Sequence, residues 1–267
     1  MDWGSRTITS LEKIRHKKPL IHNLTNFVVM NSTANAILAI GASPVMAHAK
    51  EEVEEMASIA SAVVLNIGTL EPSWVEAMII AGKTANKKEI PVIFDPVGVG
   101  ATTFRNESAQ KILSEVKCSI IRGNASEIYS LAGFESKTKG VDSLIEVTEI
   151  ATQMRGIAKK LHSVIAVTGV EDMVCDGNVC LGISGGDSMF KRVTGTGCAA
   201  SAICACFAAV ESKLLDAATE ALAYYGIAGM EAAYHSKGPG SFQVELYNAL
   251  ANLEANTVLS SIMVREV

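Results

Sequence analysis

The sequence predicts a three-layer α/β fold with a mostly parallel central sheet and helices on both faces. Two observations carry this. Short apolar runs alternate with longer amphipathic segments along most of the chain, the rhythm of right-handed βαβ crossovers. Hydrophobic residues fill 49% of the 267 positions while aromatics fill only 5%, a composition suited to a sheet buried on both sides. No Pro/Ser linker or low-complexity segment breaks the rhythm, so one domain over 1–267 is expected.

The elements follow in order. "PLIHN" (19–23) is a strand, and "FVVMNSTANAILAIG" (27–41) is a helix stopped by Gly41. "SPVMA" (43–47) is a short strand, "KEEVEEMASIAS" (50–61) a helix with acids in its first turn, and "AVVLNIG" (62–68) a buried strand. "PSWVEAMIIAGKTANKK" (72–88) starts a helix on proline, and "PVIFDP" (91–96) is the next strand. Helix, strand and helix follow at 106–116, 118–123 and 124–133, then a helix at 147–163 and a strand at 164–169. In "DMVCDGNVCLGIS" (172–184) Asp-Gly separates two alternating runs, a hairpin signal. From Gly197 to about Leu253 the chain reads as helical, and "VLSSIMVREV" reads as a closing strand.

Composition excludes several functions. The net charge is -5, and the basic cluster "RHKK" (15–18) is too small for a nucleic-acid face. The six cysteines lie mostly in apolar runs without metal-type spacing, and are expected to be reduced. The N-terminus lacks the apolar core of a signal peptide, and no apolar run approaches the length of a membrane span. A cytoplasmic protein is the expectation.

In such folds ligands bind beyond the carboxyl ends of the strands. Polar groups stand at nearly every exit: His22-Asn23, Asn66, Asp95, Arg122-Gly123-Asn124 and Thr168-Gly169. The loop "GTGCAA" (195–200) formally fits a dinucleotide fingerprint, but it lies late in the chain and no strand follows its helix. "AGKT" (81–84) lies inside a helix pattern and lacks the glycine and strand of a P-loop. What remains is a helix start whose backbone N–H groups are unpaired and whose glycines admit an anion. Gly195, Thr196 and Gly197 therefore form a candidate anion hole for a phosphoryl group. Asp95, fixed by Pro96, and Asn124 with Glu127 on one helical face offer hard oxygen ligands suited to Mg²⁺. "NASE" equally fits a capping box. Arg122 just before it suits phosphate through its planar fork.

These residues resemble the ribokinase-like kinases. "FDPVGVGATTFR" (94–105), "RGNASEI" (122–128), "VTG" (167–169) and "VTGTGC" (193–198) match in order and spacing. The block "HNLTNFVVMNSTANAILAIGASPVMAHAKEEVEEM" (22–56) and "LNIGTL" (65–70) resemble the hydroxyethylthiazole kinase family of thiamin salvage, over nearly the whole chain. The resemblance implies a ribokinase-like fold, ATP as co-substrate, and phosphorylation of the primary alcohol of 4-methyl-5-(2-hydroxyethyl)thiazole. It implies a homotrimer with active sites between subunits, without nucleic-acid or membrane partners. Carried residue by residue, Met46 and Gly195 contact the substrate, and Asn23 and Asn26 line the thiazole pocket. Arg122, Thr168 and Gly197 bind the nucleotide, while Asp95, Glu127 and Asn124 organise Mg²⁺. A hydroxymethylpyrimidine or other vitamin-precursor kinase, and a nucleotide-dependent lyase of the same fold, are the alternatives.

Cys198 occupies the place where sugar kinases of this superfamily carry an Asp base. A helix N-terminus lowers a thiol pKa, whereas the phosphate bound there opposes thiolate formation. Cys198 is thus the candidate catalytic residue, as a modest base or a group that positions the hydroxyl. Basic residues in "MFKRV" (189–193) are placed to help hold phosphate or to be solvated.

Overall fold

The structure is a computed structural model that describes residues 2–133 and 147–267, with side chains of 147–149 left aside. It opens with helix α1 (Trp3–Lys17), then β1 (Leu20–Leu24), α2 (Met30–Ile40), β2 (Ser43–Val45), α3 (Val53–Ile59) and β3 (Ala62–Asn66). Next come α4 (Pro72–Lys87), β4 (Val92–Asp95), α5 (Thr103–Glu115), β5 (Ile120–Asn124) and α6 (Ala125–Leu131). Helix α7 (Val147–Leu161) leads to β6 (Val164–Thr168), β7 (Asp172–Cys175) and β8 (Cys180–Ser184). A 3-10 turn (Ser188–Arg192) precedes α8 (Thr196–Ala208), α9 (Leu214–His235), α10 (Pro239–Asn252), α11 (Ala255–Ser261) and β9 (Met263–Glu266).

The described strands form one nine-stranded sheet in the order β2-β1-β3-β4-β5-β6-β7-β8-β9. Pairings from β2 through β6 are parallel, and those from β6 to β9 are antiparallel. The predicted three-layer fold is therefore observed. Alternation explains why the strands read as continuous apolar runs. Ile93 points into the core beneath α2, α8 and α9, while its neighbour Phe94 points into the core beneath α3, α4 and α5. Ile120 and Ile121 divide the same way. Phe94 and Phe207 are fully buried on opposite faces, and truncating such a ring costs about 3–5 kcal/mol.

Register places the polar strand exits side by side. Asn66 pairs level with Asp95, and Asn124 pairs level with Thr168. Pro96 follows β4 directly, so the chain turns away just where Asp95 must face the open end. No helix among the described residues is long and apolar enough to cross a membrane.

Three expectations change. The segment 3–17, unassigned from sequence, is a helix whose N-terminus Asp2 caps through the N–H groups of Gly4 and Ser5. Its buried stripe, Gly4, Thr7, Ser10, Leu11 and Ile14, has helical spacing but three small or polar members, which weakens the apolar signal. The closing segment is not all strand: α11 turns Val258 into the core before β9 pairs antiparallel with β8. Tertiary contact there overrides the local β-branched pattern. Cys175 and Cys180 stand opposite one another in the β7–β8 hairpin and are joined as a disulfide, so four cysteines are free rather than six. Hairpin register, unlike residue spacing, is what brings them together.

Candidate functional site

Two cavities open along the carboxyl ends of the strands. One, about 470 Å³, is lined by Thr168, Gly169, Val170 and Asp172 from the end of β6 and its turn, and by Gly185, Gly186, Phe190 and Lys191. Thr196 and Ala200 of α8 and Tyr225 of α9 complete its wall. The other, about 350 Å³, is lined by Asn26, Val28, Val29, Gly68, Thr69, Asp95, Asn124, Glu127, Gly195 and Cys198. Arg122 and Gly197 line both.

Helix α8 stands where they meet. Its first intrahelical bond runs from Ala199 N to Gly195 O at 2.8 Å. The N–H groups of Thr196, Gly197 and Cys198 therefore precede the helical ladder, and no side chain caps them. They present the positive end of the helix to an anion. Gly195 is required because φ is 84° there, and a Cβ would lie 2.7 Å from Val29 Cγ1. At Gly197 the reason is proximity: a Cβ would lie 2.8 Å from Arg122 Nη1.

Arg122 is buried at the end of β5, with Nη2 donating to Thr168 Oγ1 and Nη1 3.9 Å from Asp95 Oδ2. Burial pushes the Asp95 carboxyl up to about 6, against the opposing influence of Arg122. Asp95 Oδ2 accepts from Asn66 Nδ2 and Ser201 Oγ, both at 2.8 Å, while Oδ1 has no partner among the described residues. Glu127 accepts from Gly98 N at 2.8 Å and Asn124 N at 2.9 Å, and its own N–H donates to Asn124 Oδ1. The capping box is thus real, and it also fixes the Glu127 carboxylate at the cavity wall.

Cys198 Sγ accepts from Asn26 Nδ2 at 3.5 Å, and that amide donates to Asn66 Oδ1 at 2.9 Å. Burial, reinforced by Asp95, pushes the thiol up to about 11. Burial and Asp95 thus favour the neutral thiol of Cys198 near pH 7.

Ten sequence-assigned residues meet here: Asn26, Asp95, Arg122, Asn124, Glu127, Thr168, Gly195, Thr196, Gly197 and Cys198. Asn23 and Met46 line neither cavity. Asn23 is buried with its amide unpartnered among the described residues, and Met46 packs half-buried against the core. Of the two basic residues in "MFKRV", Lys191 lines the larger cavity and Arg192 does not.

Several site residues escape sequence reasoning. Phe190 stacks on Tyr225 with ring centroids 5.0 Å apart, and Tyr225 Oη donates to Thr196 O at 2.9 Å. Asp172 is pushed up to about 6 by burial and accepts from Gly169 N at 2.9 Å. Arg105 donates to the carbonyls of Ile67 and Val97 through Nη1, at 2.6 and 2.7 Å, and to Gly68 O through Nη2 at 2.6 Å. It thereby ties the loops after β3 and β4 together. "FDPVGVGATTFR" contains Arg105, but nothing local distinguishes a clamp from a helix-surface cation.

A sequence profile of the hydroxyethylthiazole kinase family matches residues 11–256. The chain is 51% identical to the hydroxyethylthiazole kinase of Desulfosudis oleivorans, covering 100% of this chain and 98% of that protein. It is 49% identical to that of Moorella thermoacetica, covering 99% of each. The solved hydroxyethylthiazole kinase of Pyrococcus horikoshii superposes with a TM-score of 0.91 at 43% identity, over 98% of this chain and 99% of that one. Pyridoxal kinase of Staphylococcus aureus in complex with AMP-PCP shares the fold alone: TM-score 0.65 at 14% identity, over 94% of this chain and 99% of that one.

A neutral thiol at Cys198 has a direct test. Its alkylation by iodoacetamide, followed by peptide mass spectrometry, is expected to keep accelerating from pH 8 to beyond pH 10. A plateau below pH 8.5 would mark a thiolate stabilised by the helix and would contradict the burial argument.

Proposed function

The chain belongs to the hydroxyethylthiazole kinase family, and on that premise we propose that it transfers the γ-phosphate of ATP to the primary alcohol of 4-methyl-5-(2-hydroxyethyl)thiazole in thiamin salvage. Kinase chemistry needs two substrates held end to end, with positive charge where they meet. The observation that carries the reading is the junction of the two cavities at Arg122 and Gly197, under the N-terminus of α8.

ATP takes the larger cavity, with its base and ribose among Val170, Phe190 and Tyr225 and its phosphates at Arg122 and Thr168. The N–H groups of residues 196–198 receive the γ-phosphoryl group in transit. The thiazole takes the smaller cavity, with Asn26 on its wall and the hydroxyl between Gly195 and Cys198. Most of the rate then comes from placement and charge stabilisation, because a loose phosphoryl transition state asks little of a base. A neutral Cys198 orients the hydroxyl rather than deprotonating it in the ground state.

The residues fit Mg²⁺. Asp95 keeps one buried oxygen without a partner among the described residues, and Asp95, Glu127 and Asn124 share the smaller cavity. No group of three or more acidic, His or Cys ligands able to hold a metal occurs among the described residues. That suits an ion held by one or two carboxylates plus waters and substrate phosphate. Bound there, Mg²⁺ supplies neutralisation of the phosphate charge.

A homotrimer with sites between subunits leaves the half-buried Met46 able to reach a neighbouring subunit's pocket, whereas Asn23, 1% exposed, is enclosed within its own chain. Val28, which lines the smaller cavity, is 63% exposed, and its neighbour Phe27 is 59% exposed. Phe27 and His48 flank Trp74 with ring centroids 4.6 and 4.2 Å away. An apolar ledge beside a binding cavity is an interaction surface. The continuous sheet supports one kinase domain over 1–267, and use of ATP supports a cytoplasmic location.

Three outcomes follow. Coupled ADP release with ATP and Mg²⁺ is expected for the thiazole alcohol and to be far weaker for pyrimidine and sugar alcohols; no turnover of the thiazole alcohol at millimolar levels would refute the assignment. Cys198→Asp is expected to retain or raise kcat, and Cys198→Ala to lower it about tenfold, the worth of one hydrogen bond; loss of all activity in the Asp variant would show that the thiol does more than orient the hydroxyl. Light scattering is expected to give a trimer for the natural chain and smaller species for Phe27→Glu, and a monomeric natural chain would rule out shared sites.

A further inference from the structure

Asp95 is gripped by one oxygen only. Asn66 of β3 and Ser201 of α8 both donate to Oδ2 at 2.8 Å. Arg122 Nη1 faces the same atom at 3.9 Å. The other oxygen, Oδ1, has no partner among the described residues. A carboxyl group left to itself turns through a broad, two-fold torsion and presents either oxygen. Two donors arriving from different elements onto one oxygen remove that equivalence.

The donors are themselves fixed. Asn66 Oδ1 accepts from Gly68 N at 3.0 Å and from Asn26 Nδ2 at 2.9 Å. A backbone N–H only donates, so the amide atom facing Gly68 is the oxygen and the amide nitrogen must face Asp95. Ser201 is a fully buried hydroxyl among the small apolar residues of α8. A buried polar group in that setting requires a partner, and Asp95 is the one it has. The amide chain also continues from Asn26 to Cys198 Sγ at 3.5 Å. Carboxylate and thiol, both lining the smaller cavity, are therefore set by one connected network.

We propose that Asn66 and Ser201 are positioning residues for phosphoryl transfer, locking the Asp95 carboxylate so that Oδ1 is the oxygen presented to the phosphate and its metal ion. The claim rests on the kinase reading, and its test separates the two. Neither residue lines either of the two cavities described above, so each is proposed to act through Asp95. Ser201→Ala removes one donor inside a helix without adding bulk. Asn66→Ala removes the other and also strands Asn26 and Gly68, which makes Ser201→Ala the decisive variant.

The experiment measures kcat and KM for the thiazole alcohol, melting temperature, and the affinity of Mn²⁺ for the ADP complex by electron paramagnetic resonance. Each single variant is expected to lower kcat roughly tenfold, as for loss of a hydrogen bond to a charged group. KM for the alcohol is expected to change less than about twofold, because uniform binding is untouched, and Mn²⁺ binding is expected to weaken several-fold. The double variant is expected to lose less than the product of the singles, since both donors hold one atom. Natural kcat and Mn²⁺ affinity in Ser201→Ala would overturn the proposal, as would fully multiplicative losses or losses that vanish when corrected for folded protein. If the natural chain fails to phosphorylate the alcohol, the kinase reading fails, and the Mn²⁺ measurement still decides the positioning claim.

Discussion

Three backbone N–H groups at the start of α8 have no carbonyl to bond among the described residues, and the surrounding structure keeps them so. Gly195 turns the chain into the helix through a left-handed conformation and brings no capping side chain. Gly197 lets the Arg122 guanidinium come against the helix backbone, at a separation no Cβ would tolerate. Helix end and arginine thus make one positive locus between two cavities. On the proposed reading, a phosphoryl group passing between the cavities meets this positive locus where they join. The sheet serves this arrangement: parallel strands deliver Arg122, Asp95 and Asn66 to one level, and α8 packs over them from the next layer.

Holding such a locus has consequences for the polar groups around it. Asp95 is fully buried beside the arginine, and burial without partners would be strongly unfavourable. Asn66 and Ser201 supply those partners, and Asn26 and Gly68 in turn hold Asn66. Arg105 sets the loops that carry these residues by bonding three of their carbonyls. The same low-dielectric setting explains the thiol. Near Asp95 and out of water, the Cys198 thiol is pushed up to about 11, which is why placement of the hydroxyl, rather than its deprotonation, is the role we propose for it.

Local patterning made most of the fold legible. Apolar runs ending in Asn66, Asp95, Arg122 and Thr168 marked both the strands and the ends where ligands bind. Asp-Gly between alternating runs marked the hairpin, and "GTGC" marked the uncapped helix. Misread segments were those where packing outvoted local pattern: α1, with small residues in its buried stripe, and α11, inside an apparent strand. In the site, Phe190, Tyr225 and Asp172 of the larger cavity were invisible because each lies in a separate element, with no motif joining them. Ser201 lies 106 positions from Asp95 and reads as one more small residue in an alanine-rich helix. The Cys198 pKa was legible only as a contest of effects, because the degree of burial decides it and burial is a property of the fold.

The division of the site at Arg122 and Gly197 is tested most directly by a crystal structure with AMP-PCP and the thiazole alcohol bound together. The account predicts adenine and ribose in the cavity lined by Phe190 and Tyr225, and the thiazole in the cavity lined by Asn26 and Cys198. The terminal phosphate is predicted within hydrogen-bond distance of Arg122 and the N–H groups of residues 196–198, facing the hydroxyl. A terminal phosphate that avoids the start of α8, or a thiazole bound away from Cys198, would contradict it.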